Sequence, residues 1–368
     1  MASSVSMTRA TSPSPTGISA PEPQTESCRA PADWLPGKPV SAGPESPLMK
    51  ALRFAILGKS PLAVERLKAV EASENARIVR SFSAAQVARF ADADWSGLLN
   101  RKQVDALILA LPAEQAADAA RRALLAGIHV LSELPGGLTV EDIINLREAE
   151  TKSSAILKFG CSLRYHGSVR AAEDLVRTQP YGELLTARAV YGHAGYPGPD
   201  AEKHGVLLGH GIHMLDLLHV FFGPFESVKA MCPEGRGGNA NLFAMLKSGN
   251  GAIAQLHASA TSWRQTFRLE LGYERGYVWL DGHLPGLEDY GPEMLIHAQL
   301  MQNESGRNVP NPDETVTEYE RVDFAEQELA EFIEAVSGKA PLRHGTSRHA
   351  FDAMNIAQRI CAATETWA

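Results

Sequence analysis

Residues 104–135 read VDALILALPAEQAADAARRALLAGIHVLSELP, and they hold a strand, a turn, a helix and a second strand in that order. Residues 106–111 form a short apolar run between Asp105 and Pro112, which suits a strand buried on both faces of a parallel sheet. Residues 113–126 are Ala-rich, lack Gly and Pro, and space Ala117, Ala120, Leu124 and Leu125 as a helix does. Gly127 supplies the stop, and residues 128–131 return to the sheet. Two parallel strands joined by a helix make one βαβ unit, whose ligands collect at the carboxyl ends of the strands. Those ends are Ala110-Leu111-Pro112 and Ser132-Glu133-Leu134-Pro135.

Working outward, residues 52–58 (LRFAILG) predict the first strand, 62–70 a helix, 76–82 a second strand and 84–90 a helix. Residues 139–151 open on the capping pattern of Thr139 with Glu141 and Asp142, and 155–161 predict a further strand. The alternation of strand and helix is a doubly wound α/β start. Beyond Arg164 the pattern changes. A helix over 168–177, a strand over 184–191 and an apolar helix over 208–222 lead into strand pairs with tight turns, such as 242–247 and 252–259 about Ser248-Gly249-Asn250-Gly251. Consecutive hairpins predict a second domain of α+β type with an antiparallel sheet, followed by amphipathic helices over 324–336 and 349–364. The expected divisions are a tail at 1–48, a Rossmann domain at 49–165, a substrate domain at 166–345 and a closing helix at 346–368.

With 368 residues, 44% apolar and 21% charged, the chain has the composition of a soluble globular protein of two domains. A net charge of −8 argues against nucleic acid or an anionic membrane surface as partner, and no apolar run approaches the length of about 20 residues that spans a bilayer. Cys28, Cys161, Cys232 and Cys361 lie far apart with no CxxC pair, which suits free thiols in a cytoplasmic protein. Residues 1–48 hold nine of the 22 prolines and little periodicity, and they read either as a disordered tail or as sequence ahead of a start at Met49.

Several residues are candidates for chemistry. The first strand-to-helix turn, Gly58-Lys59-Ser60-Pro61-Leu62-Ala63, matches a dinucleotide fingerprint at Gly58 and Ala63 but not at Ser60, and Pro61 removes one phosphate-binding N–H. The second strand ends Arg80-Ser81-Phe82-Ser83 without the carboxylate that usually meets an adenosine ribose. Ser81 and Arg80 could face a 2′-phosphate, or Arg80 could be an ordinary solvated side chain. Leu111, Pro112, Glu133, Leu134 and Pro135 complete the expected cofactor edge, and the Pro135 peptide can be cis. The apolar helix carries His210, His213, Asp216 and His219. His213 could act as general acid or base, or it could be a buried histidine satisfied by Asp216. That spacing matches no standard zinc site, and no metal is expected. The aromatic, Gly-rich stretch at 191–198 brings Tyr191, His193 and Tyr196. With Arg164, Tyr165, Asp216, Lys203 and His204, these are the candidates for a polyol site.

The segments VDALILALP, AGIHVLSELP, RYHGSVRAAEDLV, HGIHMLDLLHVFFGP and EQELAEFIEAVSGKAP occur in this order from about Met49 onward, and together they resemble the Gfo/Idh/MocA oxidoreductases. The resemblance implies a Rossmann domain with a larger open antiparallel sheet domain, NAD or NADP as cofactor, and redox of a sugar, cyclitol or related polyol, including nucleotide sugars. It also implies a homo-oligomer, dimer or tetramer, formed through the open sheet. Two positions depart from the family pattern: Glu-Lys-Pro reads Glu133-Leu134-Pro135, and Asp-x-Gly-x-His reads Gly209-His210-Gly211-Ile212-His213. Leucine carries neither charge nor hydrogen bond, so an enzyme reading needs other groups, with His210, one position from the lost aspartate, and Lys59 as the nearby substitutes. The alternative is a non-catalytic relative serving as a ligand sensor or partner subunit.

Overall fold

Five parallel strands run in the order β2-β1-β3-β4-β5 in a computed structural model that describes residues 51–178, 181–193, 204–233, 240–282, 293–320 and 323–367. These are β1 (Leu52–Leu57), β2 (Ala76–Phe82), β3 (Ala106–Leu109), β4 (His129–Glu133) and β5 (Leu157–Gly160). All four residues of β3 and of β5 are buried, as continuous apolar runs require when both sheet faces are covered. The connecting helices are α1 (Pro61–Ala72), α2 (Ala84–Val87), α3 (Asp92–Leu98), α4 (Ala113–Leu125) and α5 (Val140–Thr151). α5 starts on a capping box between Thr139 and Asp142, the device visible in the sequence. The single helix expected over 84–90 is instead α2 followed by α3, which opens with Asp92 and Asp94 in its first turn and buries Trp95 and Leu98.

The chain leaves β1 for β2 on one side and then returns to β3 on the other, so the strand order reverses at β1/β3 and opens a crevice there. Gly58 ends β1 at φ +120°, and a Cβ on it would stand 2.0 Å from the Ala110 carbonyl oxygen. Only glycine lets the two strands end side by side.

The second sheet has nine strands: β6 (Leu184–Gly192), β7 (Phe225–Pro233), β8 (Asn241–Ser248), β9 (Ile253–Ser259), β10 (Thr266–Tyr273), β11 (Gly276–Gly282), β12 (Glu293–Gln299), β13 (Thr315–Tyr319) and β14 (Thr364–Trp367). Their order is β13-β12-β11-β10-β6-β9-β8-β7-β14, antiparallel except where β6 meets β9 and β7 meets β14. β8 buries every second side chain, Leu242, Ala244, Leu246 and Ser248. Its other face leaves Phe243 and Met245 exposed beside Ile253 of β9.

Helix α6 (Gly167–Arg177) follows a 3₁₀ turn, Ser162–Tyr165, at the junction of the two sheets. The helix expected over 208–222 is α7 (Ile212–Phe222) preceded by a π-helical turn, Leu207–Gly211. Gly209 and Gly211 lower the cost of leaving α geometry there, and such turns recur at functional sites. Helix α8 (Phe324–Val336) packs on the parallel sheet. Its Ala325, Leu329, Phe332 and Ile333 pack into one core with Phe54, Ile56 and Ile108, so the segment assigned to the substrate domain completes the Rossmann core. Helix α9 (Ser347–Ala363) is buried along Ala350, Ala353, Met354 and Ala357 and packs against α5 and α7. No described helix is long and apolar enough to cross a membrane.

Candidate functional site

Three histidines and a tyrosine meet where the end of β6 faces the π-helical turn. Tyr191 lies near the end of β6 and His193 directly follows it, His210 lies in the turn, and His213 opens α7. The His193 and His210 rings lie 4.3 Å apart between centroids, and Tyr191 stands 6.1 Å from His210 and 6.4 Å from His213. A straight α-helix sets residues three apart on one face with little room to spread. The wider π turn carries His210 toward His193 instead. His210 is 4% exposed, it has a backbone hydrogen bond to Ser259, and its Nδ1 has no hydrogen-bond partner among the described residues.

Burial sets the protonation of this group. It pushes His210 down from 6.5 to about 4, with the neighbouring His193 and His213 adding to the effect. Burial also lowers His193 and His213. In His213 the charges of Asp216 and Glu133 oppose that effect without reversing it. Burial raises the Tyr191 hydroxyl. At neutral pH the cluster is therefore three neutral imidazoles, each able to accept a proton, beside one protonated phenol. Among the described residues no group of three or more His, Cys, Asp or Glu could hold a metal ion.

Glu133, at the end of β4, is the group of the parallel sheet whose charge reaches His213. It is held by α1: Arg66 Nε donates to Glu133 Oε1 at 2.7 Å and Nη2 to Oε2 at 3.0 Å. Arg66 is 1% exposed and also pairs with Glu328 of α8 at 2.5 Å. The Leu134–Pro135 peptide is cis, and Leu134 is 8% exposed within the apolar core. The position where the family pattern has lysine is thus filled by packing.

The cofactor edge runs from Gly58 across to Leu111 and Pro112. Ser60 caps α1 and accepts from Ala63 N–H at 3.2 Å, with Pro61 at the first helical position. Lys59 and Ser81 are exposed and Ala63 is buried, where the third glycine of the fingerprint would pack. This set fits a dinucleotide at the β1/β3 crevice: a glycine at the tight turn, a small residue against the sheet, and a helix N-terminus with a cation beside it. The guanidinium of Arg80 is taken up by Gln103 and the Gly97 carbonyl.

Of the residues expected at a polyol, Arg164, Tyr165 and Asp216 are taken up in buried pairs. Arg164 donates to both carboxylate oxygens of Asp216, at 2.7 and 2.8 Å, in a pair buried between the 3₁₀ turn and α7. Asp216 is thereby engaged and does not satisfy His213. Tyr165 is 1% exposed, donating to Glu331 at 2.6 Å and lying 2.8 Å from the Lys158 ammonium. These residues tie the parallel sheet to α7 and α8. His204 Nε2 lies 3.1 Å from Glu114 of α4. Tyr196 and Lys203 lie outside the described residues.

Arg66 and Glu328 were not among the sequence candidates, although a signal for them was present. Ala63, Arg66 and Val70 share the buried face of α1, and Ala325, Glu328, Leu329 and Phe332 that of α8. A charge written into an apolar stripe marks a buried pair.

The chain matches the family model described as "Oxidoreductase family, NAD-binding Rossmann fold" over residues 53–161 and that described as "GFO/IDH/MocA C-terminal domain" over residues 169–279. It is 30% identical over 273 residues to a dTDP-3,4-didehydro-2,6-dideoxy-alpha-D-glucose 3-reductase of Streptomyces antibioticus, covering 67% of this chain and 81% of that protein. It is 27% identical to an inositol 2-dehydrogenase of Saccharopolyspora erythraea over 43% of this chain and 46% of the relative. Among solved structures it is similar in fold to KijD10, a 3-ketoreductase from Actinomadura kijaniata in complex with TDP-benzene and NADP. The TM-score is 0.70 at 20% identity, over 86% of this chain and 99% of the other. On these matches, and on the two sheets that carry them, the chain belongs to the Gfo/Idh/MocA oxidoreductase family.

Proposed function

We propose that this protein is an NAD(P)-dependent oxidoreductase that acts on a sugar, most readily a nucleotide-activated one, through a rebuilt site in which histidines replace the family's lysine and aspartate. The observation that carries the reading is the cluster of His193, His210 and His213 with Tyr191, which faces Glu133 at the ligand-binding edge of the Rossmann sheet. The likeness to a dTDP-sugar 3-reductase supports the nucleotide-sugar class.

Gly58, Ser60, Lys59 and the N-terminus of α1 would hold the pyrophosphate, and Leu111, Pro112 and Glu133 would line the path to the nicotinamide. A bound nicotinamide cofactor supplies or accepts the hydride. The protein's share is the proton. A neutral His213 accepts it from the substrate hydroxyl in oxidation and returns it in reduction. Tyr191, kept protonated by burial, can donate a hydrogen bond to the reacting oxygen. Leu134 offers neither service and is buried in the apolar core.

Calorimetry with NAD, NADH, NADP and NADPH on the full chain tests this. One of the four is expected to bind in the micromolar range. If none binds up to millimolar concentration, the nicotinamide mechanism is wrong, and a sensor or partner role takes its place.

A further inference from the structure

The loop between β9 and β10 crosses over the end of β6. Ser259, the last residue of β9, pairs with Gly192 on one side, and Thr266, the first of β10, pairs with the same Gly192 on the other. The six residues 260–265 therefore bridge the strand end that carries Tyr191 and His193. The first half of the bridge is pinned. Ala260 N–H donates to the Ala240 carbonyl at 2.7 Å, Thr261 N–H donates to Ser259 Oγ at 3.1 Å, and the Asn241 amide donates to Thr261 Oγ1 at 2.9 Å. Ser262 Oγ would lie 3.1 Å from a Cβ on Gly192. Next in the chain is Trp263, one Cα–Cα step of about 3.8 Å beyond Ser262.

Trp263 is 91% exposed, whereas Trp95 is 8% exposed and Trp279 is 39% exposed. An indole held almost wholly in solvent, on a loop that bridges the end of β6, presents an open aromatic face. Such residues are the usual anchors for a ligand ring. Arg264 follows it in the chain and is also exposed. A bare hexose seated against His213 has no second ring to offer an indole that stands in solvent. A nucleoside-diphosphate sugar has one.

We propose that Trp263 is the platform on which the nucleobase of a nucleoside-diphosphate sugar stacks, with the sugar reaching inward to the histidines. This rests on the oxidoreductase reading above and names the residue that selects its substrate class. Stacking of a base on an aromatic side chain is sequence-tolerant, so thymine and uracil would both be accepted.

The test is calorimetric titration of the full chain with dTDP and with UDP, in excess NADPH so that the cofactor's own nucleotide site is filled. The wild type, Trp263→Ala and Trp263→Phe are compared, and NADPH is titrated separately into each. The wild type is expected to bind dTDP. Trp263→Ala should weaken it by about ten- to a hundredfold, and Trp263→Phe by far less, as removal and retention of one stacking face predict. NADPH affinity should be the same in all three. Unchanged dTDP affinity in Trp263→Ala overturns the assignment. Failure of the wild type to bind either diphosphate while NADPH binds also overturns it, and leaves the oxidoreductase reading standing. Failure to bind NADPH defeats that reading instead, and the dTDP series still decides on Trp263. The side chain stands in solvent rather than in the core, so misfolding cannot imitate the expected loss.

Discussion

Two groups of buried polar side chains meet at the junction of the sheets, and they differ in whether they have partners. Behind α7, Arg164 is matched to Asp216, and Lys158 and Tyr165 are matched to Glu331. In front of it, His210 keeps a buried nitrogen with no partner among the described residues, and burial pushes His193 and His213 toward neutrality. Buried groups that answer one another hold elements together, whereas buried groups left open are costly and are kept where a ligand completes them. The largest effect should come from the open group. His213→Ala is expected to lower turnover with the substrate found by screening about 10²- to 10⁴-fold, the usual worth of a positioned acid–base group. Its thermal unfolding should shift little. Full turnover in that variant would move His213 into the structural group and break the division.

The paired group should answer in the opposite way. Asp216→Ala leaves the Arg164 guanidinium buried without its counter-charge, a loss typically of about 3–5 kcal/mol. Denaturant unfolding should show that loss, while NADPH still binds to whatever protein remains folded. If the variant is as stable as the wild type but inactive, Asp216 belongs to the chemistry after all. His213 and Asp216 are three residues apart on one helix, so the pair of variants tests whether one turn of α7 divides function from support.

The same division explains how much could be seen in the sequence. The Rossmann half was legible because buried parallel strands are continuous apolar runs, and Gly58, Gly127 and the Thr139 cap punctuate them. His210 and His213 were legible as titratable residues in an apolar helix. Their meeting with His193 and Tyr191 was not, because it depends on a π-helical turn and on the register of β6 against β9. The partners of Arg164 and Tyr165 lie 52 and 166 residues away, so no local pattern could show that both are already engaged. Helix α8 was found as a helix, but its docking on β1 and β3 is long-range packing that amphipathicity alone does not direct. Trp263 reads as any surface residue until the loop is seen to cross the end of β6.

The smallest expected effect concerns acid, and it sharpens the comparison because both groups titrate. His210 has a folded-state value near 4, against 6.5 for an exposed histidine. Above pH 6.5 both states are neutral at this residue and stability does not depend on pH through it. Between 6.5 and 4 the unfolded chain binds the proton and the folded chain does not, so stability falls as pH drops through that window. Each pH step of one across the window costs about 1.4 kcal/mol, so His210 accounts for a loss of about 2 kcal/mol by pH 5 and about 3 at most. His344, beside the paired group, is also held near 4 and contributes in the same direction. His210→Gln removes only the first contribution. Urea midpoints at pH 7 and pH 5 should therefore diverge less in the variant than in the wild type, with part of the slope remaining from His344. If the slope is unchanged, His210 has a partner in solution and the open group is smaller than the structure draws it. If the slope vanishes, the paired network carries no acid sensitivity, and all of it resides in His210.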